Sequence, residues 1–400
     1  MISLTKLLCD LPSYGDTLRY EQKSPAAERR PIVVWNCSRT CNLKCVHCYS
    51  DSEMKAYDGE LSTSEAKKMI RSLADFRAPV LLFSGGEPLL RKDIFELNVF
   101  AKNLGLRTVV STNGTLITKE IARRIKSDGF DYIGVSLDGV GDRNDMFRGK
   151  KGAFDQALAG IRNLVEAGQR VGLRFTITKS NFADLPQIFA LTETENIGRI
   201  CFYHLVYAGR GSGISENDLS HEEKRACIDM MCDWAVSLRR RGIQKEVLTV
   251  DNHADGVYIY LKFKKSNPVL AQRILDLLRA NGGNSSGIGI ADIDTQGFVH
   301  PDQFWHTYSF GNVRDRDFGE IWTDTGDEMM RKLKDRKSYL KGKCSRCSFL
   351  DICNGNFRVR AGAVYNDIWQ EDPACYLTEA EISSAVSSPR NVQRQKEAGL

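Results

Sequence analysis

From about residue 31 the chain alternates short runs rich in β-branched residues with amphipathic helical stretches, the pattern of repeated βα units around a parallel sheet. Six strands are predicted, at 32–35, 80–83, 107–111, 132–137, 171–177 and 199–205. The helical stretches between them carry end signals. Ser62 and Glu65 form a capping box ahead of "AKKMIRSLADF", and Gly105 and Gly129 follow helical runs as C-cap candidates. A helix near 220–240 closes the series, and a less regular stretch at 242–285 reads as a linker. From about 287, short β-like pieces alternate with glycine turns in "GIGIADIDTQGFVHPDQF", and "CSRC" then opens a cysteine-rich tail. No repeat of solenoid period is present. The organisation expected is an N-terminal extension (1–30), a βα unit (31–241), a linker (242–285), a cysteine-rich domain (286–380) and a frayed tail (381–400).

Composition narrows the function classes. Of 400 residues, 42% are hydrophobic and 27% charged, as in soluble globular proteins with a sizeable core. The net charge of +5 is scattered, and the densest run, "RRR" at 239–241, falls in a predicted helix and reads as a solvated face. No nucleic-acid partner is expected. Nothing approaches the roughly 18 apolar residues that cross a bilayer, and the N-terminus lacks the regions of a signal peptide. A cytoplasmic protein without a membrane partner is expected. Twelve unevenly clustered cysteines in a reducing compartment then point to metal or redox chemistry rather than disulfides.

Cys41, Cys45 and Cys48 stand in "CNLKCVHC", directly after the first predicted strand. Soft thiolates this close suit iron-sulfur or zinc. A zinc site needs a fourth ligand, for which Cys37 and His47 are at hand. Three thiolates on a four-iron cluster instead leave one iron open to a chelating small molecule. Cys344, Cys347 and Cys353 in "CSRCSFLDIC", with Cys375 in "EDPACYL", supply four thiolates and so a closed site for a cluster or for zinc.

The three-then-two spacing of Cys41, Cys45 and Cys48 resembles the signature of the radical S-adenosylmethionine superfamily. "GGEP" at 85–88, "STNG" at 111–114 and "SLDG" at 136–139 reinforce the resemblance, since each ends a predicted strand. The fold it implies is α/β, a partial (β/α)6 TIM-like barrel. In such a barrel, loops at the C-terminal strand ends converge on one face. The resemblance implies S-adenosylmethionine contacts from Gly85, Gly86, Glu87, Ser111, Asn113, Ser136 and Asp138, with the backbone of His47 near adenine and Cys37 outside the ligand set. It also implies a SAM-binding 4Fe-4S cluster on Cys41, Cys45 and Cys48. The C-terminal cysteines resemble the small SPASM or twitch extension, which implies an auxiliary 4Fe-4S cluster on Cys344, Cys347, Cys353 and Cys375. Asp302 stands where full SPASM domains place an early cysteine, so one auxiliary cluster is expected.

Five longer runs, among them "VVWNCSRTCNLKCVHCYSDSE", "HLVYAGRG" and "CNGNFRVRA", resemble the tetrapyrrole-modifying branch of haem biosynthesis. That branch implies a tetrapyrrole substrate, a reduced flavodoxin or ferredoxin-type donor, and a 5′-deoxyadenosyl radical that abstracts hydrogen from the substrate. The favoured reaction removes two acetate side chains from 12,18-didecarboxysirohaem to give Fe-coproporphyrin III. Alternatives are NirJ-like removal of propionates in haem d1 biosynthesis, SPASM-type peptide maturation, and a non-enzymatic two-cluster electron carrier. The nucleoside and open-iron motifs argue against the carrier, and the short N-terminal extension against a peptide-recognition domain. Arg148, Arg210, Arg358 and Arg360 are candidate carboxylate clamps. His204, His253, His300 and His306 are candidate ligands for the substrate iron.

Overall fold

The computed structural model describes residues 1–21 and 25–384. Its strands are β1 (Ile2–Ser3), β2 (Ile32–Ser38), β3 (Leu81–Gly85), β4 (Thr108–Thr112), β5 (Tyr132–Ser136), β6 (Val171–Ile177), β7 (Arg199–His204), β8 (Glu246–Val250), β9 (Ile290–Ile293) and β10 (Val299–His300). They form one sheet in the order β1-β8-β7-β6-β5-β4-β3-β2-β9-β10. β9 through β8 are mutually parallel, and the short β1 and β10 pair antiparallel at the two ends. The parallel strands are largely buried, as in β2, where Val33, Val34 and Trp35 are all buried. This is the pattern of a sheet covered on both faces. Seven strands, β2 to β8, or the residues just beyond them, contribute side chains to a single cavity, so the sheet curves around that cavity. β1 and β10 do not meet, and the barrel is partial.

The helices cover the outer face where the sequence signals put them. Helix Thr63–Asp75 begins in the full Ser62/Glu65 capping box. Gly105 (φ +82°) and Gly129 (φ +77°) terminate helices Ile94–Asn103 and Lys119–Ser127 in the left-handed region that glycine tolerates. Helix His221–Arg240 starts from Ser220, and Arg239 to Arg241 are exposed at its end.

The sheet is larger than the six strands expected. The stretch 242–285, read as a linker, holds β8 and the helices Ala254–Lys264 and Pro268–Asn281. Gly256 lies inside the first of these helices at a point of close packing, where a Cβ would stand 2.5 Å from a Leu278 methyl. The extension 1–30 supplies β1 on the edge of β8, and its helix Leu4–Cys9 is fastened to helix His221–Arg240 through a Cys9 thiol to Ala235 carbonyl contact. The cysteine-rich region is joined edge to edge with the barrel: β9 pairs with β2, and the Phe318 N–H donates to the Ser72 hydroxyl at 2.7 Å. Of the tail read as frayed, residues 385–400 lie outside the described residues.

Candidate active site

The loop after β2 carries Cys41, Cys45 and Cys48, which pack with Leu43 and Ala153 into a small cluster separate from the main core. Polar groups address the sulfurs. The Leu43 N–H lies 3.5 Å and the Asn113 amide 3.9 Å from Cys41 Sγ, the Arg148 guanidinium 3.7 Å from Cys45 Sγ, and the Ser50 hydroxyl 3.4 Å from Cys48 Sγ. Burial pushes the Cys41 thiol up to about 12 and raises Cys45 as well, with neighbouring cysteine charges adding to the rise. Thiols so placed become thiolates when a metal takes the place of the proton. Donors aimed at sulfur suit that state. Cys37 is elsewhere: it lies in the main core and donates to the Ser84 carbonyl.

The end of β3 explains the paired glycines. The Gly86 N–H donates to the Ser38 carbonyl at 2.7 Å and the Glu87 N–H to the Thr40 carbonyl at 2.9 Å, tying this turn to the root of the cysteine loop. A Cβ on Gly85 would stand 2.4 Å from the Ser38 oxygen, and one on Gly86 2.3 Å from the Thr40 oxygen. Only glycine allows that approach. Glu87 is fully buried and accepts from the Thr112 hydroxyl (2.7 Å), the Asn113 N–H (2.8 Å) and the Leu89 N–H (3.1 Å). Its carboxylate therefore clamps β3 to β4. Asn113 reaches the cysteine loop, donating to Asn42 at 2.8 Å.

Ser111 and Ser136 line the interior cavity together with His47, Tyr49, Ser84 and Arg148. Asp138 does not open onto it. Its carboxylate is ion-paired with Arg148, lies 3.5 Å from His47 Nε2 and accepts the Thr176 N–H at 2.6 Å. Asp138 thus anchors Arg148, which donates toward Cys45, and His47, which is itself part of the cysteine loop.

The C-terminal cysteines come from two short helices and a following loop. Cys344 lies within the turn Gly342–Arg346 and Cys347 caps its end, Cys353 ends helix Leu350–Cys353, and Cys375 follows in a later loop. Cys353 is raised well above the usual thiol range by burial and by the charges of Cys375, Cys344 and Cys347, so all four share one environment. Among the described residues, the group of three or more metal-type donors mutually within 4.8 Å is Asp292, His300 and His306. Among the described residues no three cysteine sulfurs form such a group. The Asp292 carboxylate is itself engaged by the Asn36 amide, and both His300 nitrogens are engaged, by the Tyr308 carbonyl and by Asp294.

Residues 35–191 match the radical SAM superfamily, and residues 287–348 match an iron-sulfur cluster-binding domain, SPASM. The chain is 54% identical over 394 residues to the Fe-coproporphyrin III synthase of Methanosarcina barkeri, covering 96% of this chain and 99% of that one. The chain belongs to the radical SAM superfamily. It is also 43% identical to the pre-heme d1 synthase of Dinoroseobacter shibae, over 95% of each chain. Streptococcus suis SuiB bound to its precursor peptide SuiA has the same fold, with a TM-score of 0.69 at 17% identity, covering 88% of this chain and 76% of that one.

As a radical SAM enzyme with a SPASM domain, the protein uses S-adenosylmethionine and 4Fe-4S clusters. The residues expected to serve them divide in two. Gly85, Gly86, Ser111 and Ser136 stand at the cavity or beside the cysteine loop, while Glu87, Asn113 and Asp138 are engaged in holding that loop and the adjoining strands. The four arginines expected as clamps are also engaged. Arg148 pairs with Asp138, Arg210 donates to the Cys45 and Ser52 carbonyls, Arg358 to the Ile368 and Gly355 carbonyls, and Arg360 pairs with Asp372. Of the histidines, His204 is buried against Asp255 and His253 is buried, while His306 lies on a second hollow beside Tyr49 and Gln296. Sequence reasoning missed Tyr49, Arg174, Tyr203, Asp251 and Phe304 on the cavity wall. The available signal was the inward alternation of β6 and β7, in which Arg174 and Thr176 fall on the barrel side.

Proposed function

We propose that this radical SAM enzyme acts in haem biosynthesis, removing two acetate side chains from 12,18-didecarboxysirohaem to give Fe-coproporphyrin III. The observation that carries the reading is the 54% identity to an Fe-coproporphyrin III synthase across almost the whole of both chains. Cys41, Cys45 and Cys48 are proposed as ligands of the SAM-binding cluster, and Cys344, Cys347, Cys353 and Cys375 as ligands of the auxiliary cluster. When bound, S-adenosylmethionine and its cluster supply the electron and the carbon radical that the reaction consumes. The chain's own part is positional. The Gly85–Gly86 turn brings bare backbone against the cysteine loop, Arg148 and Asn113 donate toward its sulfurs, and the curved strands line the cavity. The electron donor is proposed to be a reduced flavodoxin or ferredoxin, in the cytoplasm. Among the described residues no helix is long and apolar enough to cross a membrane.

The test is anaerobic turnover of the reconstituted protein with S-adenosylmethionine, a reductant and didecarboxysirohaem, followed by mass analysis of the tetrapyrrole. Loss of two acetates is the expected result. A product altered at its propionates would favour the reaction suggested by the 43% identical pre-heme d1 synthase. Release of 5′-deoxyadenosine beside an unchanged tetrapyrrole would reject the substrate.

A further inference from the structure

Arg174 stands at the middle of β6, in register with Ser136 of β5 and Cys201 of β7, and its side chain lines the barrel cavity. One guanidinium nitrogen donates to the Tyr203 hydroxyl at 3.1 Å. Nε is sealed from solvent with no hydrogen-bond partner, and among the described residues the titratable groups that act most on this guanidinium are tyrosines and Cys201 rather than carboxylates. In that it differs from Arg148 and Arg360, which meet Asp138 and Asp372. The space Arg174 occupies is made by Gly134 on β5, where a Cβ would fall 2.3 Å from Arg174 Nε. Three strands thus combine to hold one cation at the wall of an interior cavity.

Arginine cannot escape partial burial by losing its proton, so the half-buried Arg174 guanidinium, without a counter-charge, gains from an anion that reaches it. Its planar fork matches a carboxylate. Because Arg174 donates to the Tyr203 oxygen, the Tyr203 O–H is left to donate elsewhere. Burial pushes that phenol well above its usual range, so it stays a donor.

We propose that Arg174 and Tyr203 form a carboxylate-binding subsite inside the barrel. Two ligands of this enzyme carry carboxylates: the methionine moiety of S-adenosylmethionine and the acid side chains of the tetrapyrrole. Assignment to the tetrapyrrole rests on the functional reading above.

The experiment measures two affinities on the reconstituted protein, S-adenosylmethionine by equilibrium dialysis and didecarboxysirohaem by visible-band titration, in wild type, Arg174→Gln, Arg174→Lys and Tyr203→Phe. Far-UV circular dichroism and iron content check that each variant is folded and loaded. Arg174→Gln is expected to weaken the ligand held here by about tenfold or more, as for loss of a charge-assisted hydrogen bond. Tyr203→Phe should weaken the same ligand by about three- to tenfold. Loss confined to didecarboxysirohaem assigns the subsite to the tetrapyrrole, and loss confined to S-adenosylmethionine assigns it to the cofactor. Unchanged affinity for both in folded protein overturns the subsite. If Arg174→Gln does not fold, Arg174→Lys and Tyr203→Phe decide on the same criteria. Failure of wild type to bind didecarboxysirohaem defeats the functional reading, and the subsite then stands or falls on the S-adenosylmethionine arm.

Discussion

Arg148 and Asp138 form an ion pair whose side chains are 9% and 0% exposed. The same guanidinium donates toward Cys45 Sγ at 3.7 Å. The pair lies behind the cysteine loop, whose backbone is tied to the same helix through the Lys44 N–H to Arg148 carbonyl bond at 3.3 Å. Removing one partner strands a buried charge, a loss of about 3–5 kcal/mol. Asp138→Ala is therefore expected to lower stability by that order and to reduce iron retention. Urea unfolding and iron analysis of the reconstituted variant check both.

The Gly86 turn offers a sharper test, because the clash is with backbone. A Cβ there would lie 2.3 Å from the Thr40 carbonyl oxygen, whereas at Gly198 nothing lies within 4 Å. Gly86→Ala must push apart β3 and the cysteine loop. It is expected to abolish measurable S-adenosylmethionine binding in equilibrium dialysis, while Gly198→Ala retains wild-type affinity.

The two cysteine sets should separate in their effects. Cys45→Ala is expected to abolish cleavage of S-adenosylmethionine. Cys347→Ala should leave some uncoupled cleavage while product formation falls, measured as 5′-deoxyadenosine and tetrapyrrole product in the same reaction. Full product formation by Cys347→Ala would defeat the auxiliary role proposed for the C-terminal set.

Glu65 joins the barrel to the cysteine-rich region. Its carboxylate accepts from Arg314 at 2.6 Å as well as from the Ser62 N–H and hydroxyl, and these hydrogen bonds lower its pKa to about 2. Because the folded value lies below the unfolded one, this stabilisation is present above the unfolded pKa, about 4.3. It is lost as pH falls through about 2. The group is 38% exposed, so solvent screening limits the effect. Glu65→Gln is expected to lower stability at pH 7 by about 1 kcal/mol. The difference from wild type should shrink as urea titrations are repeated from pH 5 down toward pH 3.

Much of this enzyme is written locally. The β-branched runs of β2 to β7, the Ser62/Glu65 capping box and the glycines after two helices depend on neighbours within a few residues, so they are legible without coordinates. The close spacing of Cys41, Cys45 and Cys48 is equally local. β8 and Gly256 were not legible in the same way. A five-residue strand followed by polar residues and a glycine has the same local pattern as a loop, and only packing against Leu278 shows why glycine stands there.

Sequence alone determined the parallel βα core, the two cysteine sets and the chemistry their ligand counts allow, because strand periodicity and thiolate spacing are properties of short segments. The tertiary structure decided how the polar residues divide their work. Asp138 and Arg148 are ten residues apart in the chain and find each other, so neither is free. Among the described residues Arg174 has no ion-pair partner, and it keeps its charge facing the cavity. Whether a charged side chain is engaged or available depends on which residues the fold brings beside it.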